Sequence, residues 1–413
     1  MAAGHVIAGQ RPARMAVVLA ALACACLAVP AAASADAFNG RIAFSSERTA
    51  AAGAARVFDI FTMNADGSGV RQLTTNPRND RQPDWSPTGL DIAYSIDKPN
   101  ATRNFEVARM TAAGTRQRQL TTSPTDVAST QPSWRPDRKG ILFRRSGPGR
   151  AGSIWQMGLF GESPMLRFAP PSNPLYPSWS PGMERVLFAA ISPTADTDRG
   201  IFTLEPGGAG LRTLFDVAGS YDSAPAWSPD GRQIAFESNA DVGGANPEGD
   251  MEVWTMAADG SGAVQLTRNA LHDEGPAWSP DGRLLAYTSG PDNLHGDIHV
   301  MTAAGRHLRA LTSFAGADES PDWQAIGAPH TARACGDVVP RDAGVLDVRA
   351  IGRGLRCPQA RALARRWATG GRRARIDAFR VQRTDFGGLE RVVLRRGSGA
   401  KGRLVAFLRR SAG

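Results

Sequence analysis

The chain has 413 residues, 42% hydrophobic and 21% charged, with 48 Lys or Arg against 39 Asp or Glu. This balance excludes a disordered or fibrous protein, and the length allows two or three domains. Beyond residue 35 no apolar stretch is long enough to cross a membrane.

Residues 1–35 read as a secretory signal. Arg11 and Arg14 precede an apolar run from Met15 to Val29, and Ala33-Ser34-Ala35 fits a small-residue cleavage site before Asp36. A start at Met15 would remove the basic residues from that signal. Export predicts a secreted or periplasmic, cell-envelope location.

Residues 36–328 repeat one sentence. It reads GPAWSPDGRLLAYTSG at 275–290, APAWSPDGRQIAFESN at 224–239, QPDWSPTGLDIAYSI at 82–96, QPSWRPDRKGILFRRS at 131–146 and YPSWSPGMERVLFAAI at 176–191, with a clipped ESPDWQAI at 319–326. Each full copy is a strand ending on Trp, a turn rich in Pro, Asp and Gly and an apolar second strand. The tryptophans fall at Trp85, Trp134, Trp179, Trp227, Trp278 and Trp323, 45 to 51 residues apart. A third strand ending on Met or Leu follows, then a Gly turn and an outer strand often ending Leu-Thr, as at Leu73-Thr74 and Leu266-Thr267. Four short strands at this period predict propeller blades. The second-strand run Arg41 to Phe44 precedes every Trp, and Trp323 has no second strand after it. Pairing 320–323 with 41–46 would therefore close a ring of six blades and remove two sheet edges.

These copies resemble the TolB-like six-bladed β-propellers, whose WD-like repeat centres on P-x-W-S-P-D-G. The resemblance covers roughly residues 38–326 and implies an all-β propeller. A long polar insertion at 238–250, beginning Ser238-Asn239-Ala240-Asp241, accounts for the widest repeat spacing. It is either a rim contact loop or a tolerated surface insertion.

Residues 331–413 form a second, small α+β domain. It holds 20 basic and 6 acidic residues, a net of +14, against 26 and 33 in residues 36–330, a net of −7. Cys335 and Cys357, which remain after signal cleavage, are expected to form one disulfide. A helix is expected after Pro358, with strands at 376–382, 390–395 and 403–409. The segment resembles small disulfide-bearing modules on secreted proteins of high-GC Gram-positive bacteria, through Cys335-Gly336-Asp337-Val338 and Cys357. Where such modules carry a second Cys pair, this chain has Val381 and Leu394. Its Arg-rich face is either simply solvated or binds an anionic surface polymer. Nucleic acid is not an expected partner, because no aromatics interleave the basic residues.

The candidate ligand-binding residues lie five before each Trp. Asp80, Asp222, Asp273 and Asp318 occupy four of these six positions, and Glu274 and Glu319 follow two of them. On the innermost strands they would ring one channel mouth, where a basic group, or a cation such as calcium, could bind; no other cofactor is expected. The TolB-like resemblance implies that partner segments dock on this face. Alternatively, each Asp caps the loop entering its strand. The six tryptophans are expected to pack between blades. His272, His295, His299 and His307 cluster in the fifth Trp repeat; His295 and His299 stand at i, i+4, a metal-binding spacing on a helix, but His299 is expected on a strand, so they need not converge on zinc. There is no G-x-S-x-G, H-E-x-x-H or P-loop, and the 83 residues after 330 are too few for an α/β-hydrolase domain.

The expected function is an exported, non-catalytic and monomeric propeller scaffold that binds a cell-envelope protein segment or small ligand at the channel mouth. The alternative is an extracellular propeller hydrolase or lyase acting on polysaccharide or peptide.

Overall fold

The computed structural model describes residues 37–48, 57–99, 104–169, 173–193, 197–292 and 295–327, together with five strands between residues 333 and 409. The expected signal at 1–35 lies outside the described residues.

Six four-stranded antiparallel sheets form a six-bladed β-propeller. We letter the strands A to D from the channel outward. Blade 1 takes its A strand, Asp318–Gly327, from the end of the repeat region and its B strand, Ala37–Ser46, from the beginning. Blades 2 to 6 follow at 80–119, 128–168, 175–215, 222–265 and 272–310. The closing pair runs antiparallel, with Ile42 opposite Trp323 and Ser46 opposite Asp318. The ring thus closes as the strand count requires.

The B strands are near-continuous apolar runs because each blade is covered on both faces. Five of the six residues in Val186–Ile191 are buried, and Ile92, Ala93 and Tyr94 are at most 1% exposed. Among the described residues the propeller core divides into six clusters, each formed between neighbouring blades and each holding one repeat Trp. Trp323 joins Phe44 and Met63 to Leu284 and Ala286 across blades 1 and 6, and Trp134 joins Val107 to Phe143 across blades 2 and 3. The tryptophans therefore pack between blades, as expected.

The outer strands differ from the sequence reading. In four blades the paired D strand is two residues long, as in Arg71–Gln72 and Val264–Gln265, and Leu-Thr follows it. The Thr side chain replaces the next ladder bond. Oγ1 of Thr74, Thr121, Thr267 and Thr312 each accepts a C-strand N–H at 2.9 Å, from Ile60, Val107, Val253 and Ile298. Blades 3 and 4 lack that Thr, and their D strands extend to four residues, Met165–Phe168 and Arg212–Phe215.

Every A strand is interrupted at the same place. The residue three before each Trp has φ between 44° and 59°: Gln82, Gln131, Tyr176, Ala224, Gly275 and Ser320. The A–B register shifts there in each blade, for example between Arg81 and Asp84 and between Glu274 and Ala277. These are β-bulges, which re-aim the side chains around them.

Residues 333–409 contribute an antiparallel five-stranded sheet. Its order is Arg333–Val338, Val345–Ile351, Arg403–Arg409, Leu389–Arg396, Phe379–Phe386. Its register places Val381 opposite Leu394. Cys335 lies on the first of these strands, while Cys357 and the helix expected after it lie outside the described residues.

Candidate functional site: the central channel

The bulged A strands wall a central cavity of about 850 Å³, to which all six P-x-W copies contribute. The bulge decides which side chains reach it. In a regular strand alternate residues share a face, so the position five before Trp would point the same way as the x of P-x-W. One extra residue reverses this.

Asp80, Asp222, Asp273 and Asp318 are therefore turned away from the channel, contrary to the expected ring. All four are fully buried and absent from the cavity wall. Each holds nearby loops and strands together. Asp80 accepts from Asn76 Nδ2 at 2.5 Å, and Asp273 from Asn269 Nδ2 at 2.8 Å. Asp222 accepts from Ser220 Oγ at 3.0 Å and Ser238 Oγ at 2.5 Å, and Asp318 pairs with Arg48. Burial pushes Asp80 and Asp222 up to about 7 and raises Asp273 and Asp318.

Glu274 and Glu319, one position later, do reach the channel. With Glu237 they form an acidic layer contributed by blades 5, 6 and 1. Burial pushes Glu237 up to about 8, and the Glu274 carboxylate adds to this. Burial also raises Glu274 and Glu319. Glu237 accepts the Gly275 N–H at 2.7 Å. Arg81 Nη1 lies 3.4 Å from Glu319 Oε1, its guanidinium stacked 3.7 Å from the Phe58 ring centroid. His272 Nδ1 stands 4.0 Å from Glu274 Oε1. One guanidinium and one imidazole thus face three carboxyl groups.

Asp84 and Asp322, at the x of P-x-W in blades 2 and 1, make a second acidic layer on the cavity wall. Asp322 Oδ2 accepts the Trp85 N–H at 2.5 Å, and Asp84 Oδ1 the Trp134 N–H at 3.0 Å. Burial pushes Asp322 up to about 7. Burial, then the charge of Asp322, holds Asp84 well above the usual carboxylate range. The sequence reading missed Asp84, Asp322 and Glu237. Asp84 and Asp322 were findable, since strand alternation puts x on the same face as the position five before Trp that was singled out. Glu237 was not, because its counterparts beside the bulge are Ser45, Ser95 and Thr288, opposite Glu319, Arg81 and Glu274.

The histidines do not converge: His299 packs on Tyr287 with centroids 5.7 Å apart, and His295 Nδ1 meets Asp292 at 2.9 Å. Among the described residues no three His, Cys, Asp or Glu side chains are gathered to hold a metal ion.

Fold and site define a six-bladed propeller with Trp-centred blades, closed by its own two ends around an acidic channel. Residues 171–327 match the model of the TolB beta propeller domain. The Tol-Pal system protein TolB of Anaeromyxobacter dehalogenans (strain 2CP-C) is 36% identical over 102 residues, 24% of this chain and 21% of that protein. Dipeptidyl-peptidase 5 of Porphyromonas gingivalis is 28% identical over 256 residues, 56% of this chain and 33% of that protein. The solved structure of TolB from Acinetobacter baumannii superposes with a TM-score of 0.56 at 21% identity, covering 69% of this chain and 66% of that one. The propeller is TolB-like. The chain spans about a fifth of the TolB relative and a third of the peptidase.

Proposed function

We propose that the protein is an exported, non-catalytic propeller scaffold of the cell envelope, whose channel takes a basic segment of a partner protein. The observation that carries this reading is the layer of Glu237, Glu274 and Glu319. Its carboxyl groups are buried enough to be raised, yet they line an open cavity. A Lys or Arg side chain entering the channel would restore their ionised form and supply the missing cation, a favourable exchange in a low-dielectric site. The TolB relatives support a protein partner and an envelope or periplasmic location. The basic segment 331–413, net +14, would add attraction to anionic envelope polymers.

The test is capture from an envelope extract with the full chain and with the triple variant Glu237→Gln, Glu274→Gln, Glu319→Gln. A protein retained by the native chain and lost from the variant supports the scaffold. Equal capture by both overturns the channel as the docking site.

A second reading, hydrolysis within the channel, is favoured by the buried Asp84 and Asp322, both raised, the charge of Asp322 adding to the rise at Asp84. Carboxyl groups that burial holds protonated near neutral pH are equipped to act as general acids. It predicts turnover of a peptide or polysaccharide that Asp84→Asn abolishes while partner capture persists.

A further inference from the structure

The insertion in blade 5 holds a second oxygen-rich site, whose acids are absent from the cavity wall. It joins the B strand to the C strand, Glu252–Ala257, and closes on itself. Asp241 Oδ1 accepts the Asn246 N–H at 3.0 Å, and Asn246 Nδ2 donates to the Asp250 carbonyl at 2.8 Å. Four oxygen atoms of three side chains remain unsatisfied. Asn246 is 2% exposed, Glu252 1% and Asp250 8%. Asn246 Oδ1, Glu252 Oε2 and both Asp250 carboxylate oxygens are buried with no hydrogen-bond partner. Burial without a partner strongly disfavours the ionised form of a carboxyl group. Burial accordingly raises Asp250 and pushes Glu252 up to about 7, the charges of Asp273 and then Asp250 adding to the latter.

Blade 2 shows what this frame accepts. Glu106 and Glu252 are equivalent. Each precedes the residue whose N–H bonds the D-strand Thr, and each accepts an N–H two residues beyond that Thr, from Ser123 at 2.6 Å and Asn269 at 2.9 Å. In blade 2 a cation is built in. Lys98 Nζ lies 3.3 Å from Glu106 Oε1 and donates to the carbonyls of Ser123, Pro124 and Val127 at 3.3, 2.5 and 2.6 Å. Lys98 lies two residues beyond Ile96, the partner of Glu106. The matching position in blade 5, two beyond Ser238, is Ala240. The ammonium is missing where the carboxylates are more numerous.

We propose that Asn246, Asp250 and Glu252 bind a calcium ion in the place that Lys98 fills in blade 2. Two carboxylates and a carboxamide, completed by backbone carbonyls and water, form an all-oxygen set that suits a hard cation of flexible coordination. The His272 imidazole stands nearby, but its Nδ1 already takes the Met251 N–H at 3.5 Å, so the free donors are oxygens, which disfavours zinc or copper. With only two acids, the set does not amount to a gathering of three metal-binding acids or imidazoles.

The test is calorimetric titration of the full chain with CaCl₂, magnesium serving as competitor, alongside Asp250→Asn and Glu252→Gln. The expected result is one ion per chain, with a dissociation constant of roughly 10⁻⁴–10⁻³ M, the range of extracellular calcium modules. Each variant should weaken it at least tenfold. Should a variant fail to fold, limited proteolysis of the native chain decides, since calcium should protect the 241–250 loop. No binding and no protection overturns the proposal. So does binding that both variants leave unchanged, which would place the ion elsewhere.

Discussion

At the scale of single residues, six residues of five types share one left-handed backbone position beside the channel. For a residue with a Cβ this conformation costs about 1–2 kcal/mol. Gly275 escapes the cost, and nothing lies within 4 Å of where its Cβ would stand. Gly275→Ala should therefore lower stability by about 1 kcal/mol through backbone strain alone. Ala224→Gly, at φ 44°, should raise it by about 0.5–1 kcal/mol. Denaturant midpoints measure both, and a stable Gly275→Ala would show that the bulge relaxes on substitution. The bulge also limited what could be read beforehand. P-x-W was plain in the sequence, but Gln, Tyr, Ala and Ser carry no mark of positive φ. Position on the innermost strand therefore pointed to Asp80 and its counterparts, and the structure points to the residues after them.

At the scale of the element, the outer strand relies on a side chain. Thr267 Oγ1 serves the N–H of Val253, which is fully buried. Thr267→Val keeps the shape and removes the acceptor, leaving that N–H without a partner, at about 1–3 kcal/mol. Hydrogen exchange should show the loss locally, as faster exchange at Val253 and Leu266 in blade 5 with the other blades unchanged. Unaltered protection would mean that the strand does not depend on the hydroxyl. Leu-Thr was legible as an ending because it recurs. That the Thr substitutes for main-chain pairing was not, since only the two blades without it reveal the exchange, through their longer D strands.

At the scale of the whole molecule, the buried carboxyl groups act together on stability. Asp80, Asp222 and Asp322 rise to about 7 and Glu237 to about 8 when folded. A carboxyl raised on folding binds its proton more tightly in the native state. Its contribution is complete below the unfolded value near 4 and is lost as pH rises through the folded value. The melting midpoint should thus be several degrees lower at pH 8.5 than at pH 5.5. Asp222→Asn should narrow the gap by raising the midpoint at pH 8.5. A midpoint that climbs with pH would contradict the burial of these groups. The blade count and ring closure were legible from strand counting, because six copies of one motif leave a first and a last half-blade that must meet.

That meeting also sets an order in time. Ser46 lies opposite Asp318, 272 residues later in the chain. At about 5–20 residues per second of synthesis, the earliest blade waits roughly 14 to 54 s for its innermost strand. Throughout that interval it offers a bare edge to any passing strand. The sixth blade meets a neighbour on both sides only when the first is finished. The ring is therefore completed late and at once, and a chain arrested before residue 318 would carry five assembled blades and a sixth position that other strands can invade.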